Sequence, residues 1–432
     1  MLISLSLERG RSIPPCVEIE LTNVNSYEGS FFYDMDRDEL VRKISEIQDE
    51  GVTALDLSGA ELGTLYKEVT DLDWLTELNL RSNALSMLPP EIGNLQNLRR
   101  LNLSGNNLEK VPAEIGNLTN LRRLNIGGNQ LKTLPQEIGN LTGLTWVFLP
   151  SNQLKELPET IGQLSHLTDL QLSGNRIELL PPTFCDLESL AELQLSGNLL
   201  AELPTQFGQL TKLVKLYLQG NQLDRIPSKI GGLTSLTWLY LQGNNLTSLP
   251  DEICDLISLT GLYLEGNELS ELPEEFGKLI NLTWLDLEGN HLTEFPAGVE
   301  SLNRLIQLNL RRNSLDQLPA QIGGLESLTW LDLEGNHLKS LPPEIGKLTA
   351  VTELHLSNNE LTNLPAEMGN LVDLVDLYIS NNQLREIPES MSKLIHLESF
   401  YLSDNLLTDL PPEFSDLVDR EILYLAGNPL NK

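Results

Sequence analysis

The chain has 432 residues, of which 40% are hydrophobic and only 5% aromatic, and its formal net charge is −32. This acidic balance disfavours nucleic-acid backbones and anionic membrane surfaces as partners, because both require a basic binding face. No apolar run approaches the roughly 18 residues that a membrane-spanning helix needs, so we expect no membrane insertion.

Residues 1–34 do not follow the pattern of the rest of the chain. The stretch "CVEIELTNV" alternates as a strand does, so the segment is an extra capping strand, a loose arm, or sequence ahead of a true start at Met35. It lacks the basic start and the small-residue cleavage site of a signal peptide. The three cysteines have neither disulfide nor zinc spacing, and we therefore expect a cytoplasmic location.

Residues 35–51 are predicted to form an N-terminal capping helix. Within residues 38–49, four apolar side chains share one helical face: Leu40, Val41, Ile44 and Ile47. Gly51 follows the helix in the position where glycine often ends one. Such a helix would cover the open end of the repeats that come next.

From residue 52 to residue 432 the sequence repeats every 23 residues, which predicts about 17 units, the last one truncated. Sixteen asparagines mark the register: Asn83, Asn106, Asn129, Asn152, Asn175, Asn198, Asn221, Asn244, Asn267, Asn290, Asn313, Asn336, Asn359, Asn382, Asn405 and Asn428. One unit, residues 75–97, reads "LTELNLRSNALSMLPPEIGNLQN". A single unit cannot bury its leucines, whereas stacked units build a continuous core.

Two local features of the repeat have structural consequences. The Leu-x-Leu step predicts a short strand, because alternate side chains of a strand point to opposite faces. The asparagine follows this strand at a turn, where a buried amide can pair with backbone groups of adjacent units. Stacked strands of this kind predict one parallel sheet.

The motif L-x-x-L-x-L-x-x-N-x-L-x-x-L-P-x-x-I-G-x-L-x-x resembles the leucine-rich repeat family over about residues 52–432. Its 23-residue "LPxxIG" form is similar to the intracellular subtype of Ras-pathway scaffolds, Scribble- and Erbin-type proteins, and bacterial soluble and Roco-type proteins. The resemblance implies an α/β solenoid, a horseshoe with a parallel β-sheet on its concave face. It also implies a non-enzymatic protein-interaction scaffold in intracellular signalling.

The third and fifth residues of each unit alternate with core leucines and should face the concave surface. Four of the five tryptophans and six of the nine tyrosines occupy these two columns. Exposed aromatic clusters usually mark contact surfaces, and the predicted partner-binding rings are Trp146, Phe148, Tyr217, Trp238, Tyr240, Tyr263, Trp284, Trp330, Tyr378 and Tyr401. The alternative is that the rings only stabilise the sheet by stacking, since duplication has copied "LTWLDLEGNHL" at 282–292 and 328–338.

Charged residues accompany the rings on the same predicted face. The acidic partner-binding candidates are Glu265, Asp286, Glu288, Asp332 and Glu334, and a secondary basic patch contains Arg81, Arg100 and Arg123. An acidic and aromatic platform suits a protein or peptide with basic residues, through charge pairing and cation–π contacts. The alternative partner is a carbohydrate or another small ligand, which the same rings would also suit.

Sequence signals for enzymatic chemistry are weak. Asp332 and His355 occupy one column in adjacent units, roughly 5 Å apart, and Ser357 lies two residues further along. A strand does not bring residue i+2 onto the imidazole of residue i, so a catalytic triad is disfavoured. No loop has the oxygen spacing of a calcium site, and "EIGKLT" lacks the Ser or Thr of a P-loop. We expect no enzymatic activity, no cofactor and no metal site.

Overall fold

The strands of the repeat form one open parallel sheet in the computed structural model, which describes residues 37–430. The strands are β1 Ala54–Asp56, β2 Glu77–Asn79, β3 Arg100–Asn102, β4 Arg123–Asn125, β5 Trp146–Phe148, β6 Asp169–Gln171, β7 Glu192–Gln194, β8 Lys215–Tyr217, β9 Trp238–Tyr240, β10 Gly261–Tyr263, β11 Trp284–Asp286, β12 Gln307–Asn309, β13 Trp330–Asp332, β14 Glu353–His355, β15 Asp376–Tyr378, β16 Ser399–Tyr401 and β17 Leu423–Tyr424. Each strand pairs with the next one along the chain. The predicted horseshoe with a parallel concave sheet is confirmed. The predictions for residues 1–34 concern a segment outside the described residues.

The return segments on the other side of the solenoid are mostly single 3₁₀ turns. They are Pro90–Asn94, Ala113–Asn117, Gln136–Asn140, Glu159–Gln163, Pro182–Asp186, Phe207–Gln209, Ser228–Gly232, Asp251–Asp255, Phe276–Lys278, Val299–Ser301, Ala320–Gly324, Pro343–Lys347, Ala366–Asn370, Glu389–Lys393 and Pro412–Phe414. Proline precedes most of them because its fixed φ suits the residue before a helical turn. Two short α-helices, α2 at Lys67–Thr70 and α3 at Ser415–Asp419, replace or extend this turn near the two ends.

The N-terminal helix α1 spans Arg37–Asp49 and packs on the first repeat. Leu40 and Ile44 are buried, and Ile47 packs against the core. The predicted apolar face is wrong at Val41, which is 42% exposed. Each residue turns a helix by about 100°, so Val41 points away from the narrow strip that contacts the repeats.

The repeated leucines form the core, and the repeated asparagines seal the turn after each strand. We call Asn83 and its equivalents the asparagine ladder; from Asn83 to Asn405 its members are 3% to 8% exposed. Asn244 shows the pattern. Its Oδ1 accepts the N–H of Leu223 at 3.1 Å, and its Nδ2 donates to the carbonyls of Leu218 and Leu241 at 3.1 and 2.9 Å. The ladder therefore connects neighbouring units, as the sequence predicted.

Across residues 37–430, none of the helices has the length and apolarity needed to cross a bilayer.

Candidate functional site

The concave face carries the residues that the column analysis predicted. In β11, Trp284 and Asp286 flank Leu285, which is fully buried, and both are themselves partly exposed. The third and fifth residues of the other units lie on this same face, because strands β1 to β16 each consist of the third, fourth and fifth residues of their units and β17 of the fourth and fifth. All of the predicted rings therefore lie on this face.

Five rings on strands β8 to β11 make one continuous contact, which we call the five-ring cluster. Tyr217, Tyr240 and Tyr263 stack in a row with ring centroids 4.6 Å apart at both steps. Trp238 lies 6.3 Å from both Tyr240 and Tyr263. Trp284 extends the row, with its centroid 5.8 Å from that of Tyr263.

Gly261 makes room for the indole of Trp238 in this cluster. A Cβ atom on Gly261 would lie 2.3 Å from Cε3 of that indole. Gly261 is not among the site residues predicted from the sequence, although it is the one glycine in the third column of the repeats. That position was the available signal, because a missing side chain beside a large one often marks a close approach.

The depth of the rings differs from the expectation that all of them stand open. Tyr240 and Tyr263 are only 6% and 8% exposed, whereas Tyr217, Trp238 and Trp284 are partly exposed. The reason is the strand spacing, because neighbouring rings cover both faces of each central tyrosine. Tyr240 and Tyr263 therefore belong to the floor of the site, and the two tryptophans are more open to a partner.

A second row of rings lies near the C-terminal end of the sheet, and we call it the second ring row. Trp330 and His355 have centroids 5.7 Å apart in a tilted contact. From His355 the stack continues through Tyr378, Tyr401 and Tyr424 at 4.3, 4.7 and 4.3 Å. Burial raises the pKa of Tyr378 to about 12. Tyr424 was not among the predicted site residues, although it continues the column of Tyr378 and Tyr401.

Between the two rows, the fifth column contains Asp286, Asn309 and Asp332, which we call the acidic interval. The three are register partners on adjacent strands. Burial raises the pKa of the Asp286 carboxyl to about 7, and the nearby charges of Glu265 and Glu288 add to this rise. Burial also raises the pKa of Asp332 to about 6, while His355, Arg311 and the Glu334 N–H oppose the rise.

The seventh column beside the acidic interval is a network of paired charges. Nη2 of Arg311 lies 3.0 Å from Oε1 of Glu334, and its Nε lies 3.8 Å from Oε1 of Glu288. Asn309 Nδ2 donates to Glu288 Oε2 at 3.2 Å, and Arg312 Nη1 is 3.7 Å from Oε1 of the same glutamate. These contacts hold Glu288 in place beneath the surface.

The exposure expected for two acidic candidates is therefore wrong. Glu288 and Asp332 are only 6% and 3% exposed, because flanking strands and the arginine network enclose them. Glu265 and Glu334 remain partly exposed. Glu265 and Glu334 are therefore more open to solvent than Glu288 and Asp332, which lie beneath the surface.

The remaining predicted residues form a separate group nearer the N-terminus. Trp146 and Phe148 stack on one strand with centroids 5.2 Å apart, and strands β6 and β7 separate them from the five-ring cluster. Arg123 has two register partners, Trp146 on the strand that follows and Arg100 on the strand that precedes it. Arg100 is ion-paired with Glu77 at 3.1 Å, and Arg81 and Arg123 are exposed.

The structure argues against a catalytic triad at His355. The predicted adjacency of Asp332 and His355 is confirmed, since they are register partners. However, His355 Nε2 lies 2.7 Å from Glu353 Oε1. The hydroxyl of Ser357 instead accepts the backbone N–H of Ser380 at 3.1 Å. The serine is therefore engaged away from the imidazole.

Comparisons with known proteins agree with the fold and its periodicity. A leucine-rich repeat region model matches residues 51–147 and 305–378. A second model, leucine rich repeat, matches residues 142–200, 165–223, 203–246, 234–292 and 373–430. No catalytic family is indicated. A comparison with curated proteins gives no match.

Three solved structures illustrate the similarity. A leucine-rich repeat protein of Leptospira interrogans is 37% identical, with 85% of this chain and 94% of that chain covered and a TM-score of 0.76. A TDR receptor is 27% identical, with 93% and 72% covered and a TM-score of 0.77. The plant peptide hormone receptor RGFR1, in complex with RGF2, is 30% identical, with 88% and 75% covered and a TM-score of 0.65. The chain belongs to the leucine-rich repeat family, whose members typically serve as protein-interaction modules.

Proposed function

We propose that the protein is a non-enzymatic interaction scaffold that binds a protein or peptide segment with basic residues on its concave face. The observation that carries the proposal is that the five-ring cluster and the acidic interval adjoin on the sheet. Tyr263 and Asp286 are register partners on adjacent strands, and Trp284, the last ring of the cluster, lies on the same strand as Asp286. A cation placed there meets rings and carboxylates together.

The physical basis is the combination of rigid apolar area with negative charge. Stacked rings are already ordered, so a partner gains contact with them at a small cost in side-chain entropy. A Lys or Arg above Trp284 or Trp238 would gain cation–π attraction. The partly exposed Glu265 and Glu334 would add charge pairing and faster association. Binding to Glu334 would compete with its contact to Arg311.

Similar structures support a peptide or protein ligand over a carbohydrate. The one that carries this support is described as a plant peptide hormone receptor, RGFR1, in complex with RGF2. A peptide lying across the strands would meet the five-ring cluster, the acidic interval and the second ring row in order.

We also propose a cytoplasmic location and a role in signal transduction, in keeping with the 23-residue "LPxxIG" subtype. The thiols of Cys185 and Cys254 support this location. Both are buried and free, and burial raises their pKa values to about 11. They fill positions where other units have glycine, such as Gly93, so they are structural fillers that require no oxidation.

A displayed library of random peptides, selected on the full chain, tests the proposal. We expect the selected peptides to be rich in Lys and Arg, and their affinity to fall with Trp284→Ala or Trp330→Ala. Ile280→Ala is the matched control, because Ile280 is 58% exposed and lies outside the strands. Peptide affinities that are unchanged in both tryptophan variants would refute a binding site on the concave face. Saturable binding on a glycan array, lost in the same variants, would favour the carbohydrate alternative.

A further inference from the structure

Three side chains with metal-binding atoms converge where β13 meets β14. One carboxylate oxygen of Asp332, one of Glu334 and a ring nitrogen of His355 all lie within 4.8 Å of one another. Asp332 and His355 are register partners on the two strands, and Glu334 follows β13 by two residues. Small side-chain rotations would bring three donors of this spacing around one ion.

The Asp332 carboxylate accepts few hydrogen bonds for its depth, although the charges of His355 and Arg311 lie near it. It is 3% exposed, and one oxygen accepts the backbone N–H of Glu334 at 2.8 Å. Within residues 37–430, no side chain donates a hydrogen bond to this carboxylate and no ion pair includes it. A buried carboxylate with so little pairing is costly when ionised, and a bound cation would remove that cost.

His355 is already oriented as a metal ligand would be. Its Nε2 lies 2.7 Å from Glu353 Oε1, and its ring stacks on Tyr378 with centroids 4.3 Å apart and planes 9° from parallel. A metal-bound histidine commonly donates a hydrogen bond from its second ring nitrogen to a carboxylate, and this bond fixes the tautomer of the ring. If Nε2 donates to Glu353, the lone pair of Nδ1 is available to an ion.

We propose that Asp332, Glu334 and His355 form a binding site for a divalent transition-metal ion, with zinc as the best fit. One nitrogen and two oxygen donors suit zinc, whereas calcium requires six to eight oxygens. Glu334 shares Oε1 with Arg311 and Asn358, so its other oxygen is the one available. Three protein donors leave a fourth position for water or for a partner's side chain.

This site goes beyond the proposed function and does not depend on it. No metal site is expected from the sequence, because no loop has the oxygen spacing of a calcium site and the cysteines lack zinc spacing. The sequence places Asp332 beside His355 only as a weak resemblance to a catalytic triad. A metal bound here would join two neighbouring repeats and reduce the negative charge of the acidic interval. Metal binding and peptide binding are measured separately, so either can fail without the other.

Calorimetric titration of the chelator-treated full chain with Zn²⁺ tests the site, together with the isosteric Asp332→Asn and the variants Glu334→Gln and His355→Gln. We expect one ion per chain, and about tenfold weaker binding or more in each variant, comparable with the loss of a supporting metal-site residue. His337→Gln is the matched control, because His337 forms a similar 3.2 Å pair with Glu360 while its side chain is 60% exposed. Its affinity should match the parent chain.

Two further readings make the test decisive. Zn²⁺ should raise the melting temperature of the parent and of His337→Gln but not that of the site variants. Circular dichroism identifies any variant that fails to fold, and the test then rests on the variants that do fold. Co²⁺ should give a spectrum without thiolate charge-transfer bands, which separates this site from the cysteines. The absence of saturable binding, an unchanged affinity in all folded site variants, or a thiolate spectrum would overturn the proposal.

Discussion

Tyr240 and Tyr263 stack with their ring centroids 4.6 Å apart and their planes 10° from parallel. That distance is the spacing of neighbouring strands, about 4.8 Å, because the 23-residue period places the two residues opposite each other. Stacking is therefore a direct consequence of the repeat. We therefore expect the buried rings of the cluster to stabilise the sheet, and we propose partner binding for the more exposed ones.

The first prediction concerns this difference in depth. Tyr263→Ala should lower the free energy of unfolding by about 2–4 kcal/mol, because it opens a gap between stacked rings. Trp284→Ala should cost less than about 1.5 kcal/mol, since only one face of its stacking is lost. Leu285→Ala, in the core, should cost about 2–5 kcal/mol. Denaturant melts give the order, and a larger loss for Trp284→Ala than for Tyr263→Ala would contradict it.

The same tryptophan should matter more for binding than for folding. Trp284→Ala is expected to weaken the binding of a selected basic peptide by about 2 kcal/mol or more, as truncation of an interface hot spot does. Isothermal titration of the folded variant measures this. A large loss of stability with unchanged peptide affinity would show that Trp284 is structural.

A second prediction uses the space that Gly261 leaves for Trp238. Gly261→Ala should displace the indole, because the new Cβ would lie 2.3 Å from Cε3 of the ring. We expect a shifted tryptophan emission spectrum and weaker peptide binding. Gly63→Ala is the matched control, since no atom of the described part of the chain lies within 4 Å of a Cβ at Gly63. Identical emission spectra for both variants and the parent would mean that the indole does not occupy this space.

The sequence determines much of this architecture through its period alone. Alternation in a strand assigns Trp284 and Asp286 to the open face and Leu285 to the core, and the structure agrees. The degree of burial of a side chain on the concave face could not be predicted from this alternation. It depends on the rings and charges of adjacent strands, as the enclosure of Asp332 and Glu288 shows.

The contacts between columns were also beyond the sequence. The period places Asp332 beside His355, but the approach of Glu334 to both depends on rotamers and on its contact with Arg311. The indole of Trp238 lies across Gly261 onto Tyr263 for a similar reason, because a missing side chain allows a diagonal contact. The columns of the repeat predict which residues are register partners, whereas side-chain packing determines which of the neighbouring side chains are in contact.

A third prediction tests the asparagine ladder. Asn244→Ala leaves the buried N–H of Leu223 without its acceptor. It also removes one of two asparagine donors from the Leu218 and Leu241 carbonyls, which keep Asn221 and Asn267. We expect a cost of about 1–3 kcal/mol, chiefly for the orphaned N–H. Asn120→Ala is the control, because the side chain of the exposed Asn120 donates a single hydrogen bond within residues 37–430, to the Gln96 carbonyl. Equal thermal unfolding of the two variants would contradict a structural role for the ladder.

The last prediction follows from the raised pKa of Asp286. The carboxyl has an ordinary pKa of 3.8 and a folded-state pKa of about 7, so the folded chain holds a proton that the unfolded chain releases between those values. Stability should therefore fall as pH rises from about 4 to about 7, and the full penalty should apply above that window. Asp286→Asn is nearly isosteric and cannot ionise. It should match the parent near the lower limit of the window and exceed it in stability by about 1–2 kcal/mol above the upper limit, less than the full shift implies because Asp286 is partly exposed.

The comparison needs a control, because the chain has a net charge of −32. As pH rises, its other carboxyl groups ionise, and the added repulsion between negative charges also changes the free energy of unfolding. Asp373→Asn changes the net charge equally at an exposed position. Urea melts of the parent and both variants across the window therefore isolate the contribution of Asp286. A stability difference between Asp286→Asn and Asp373→Asn that stays constant with pH would show that Asp286 does not carry a buried proton, and that the acidic interval is fully charged at neutral pH.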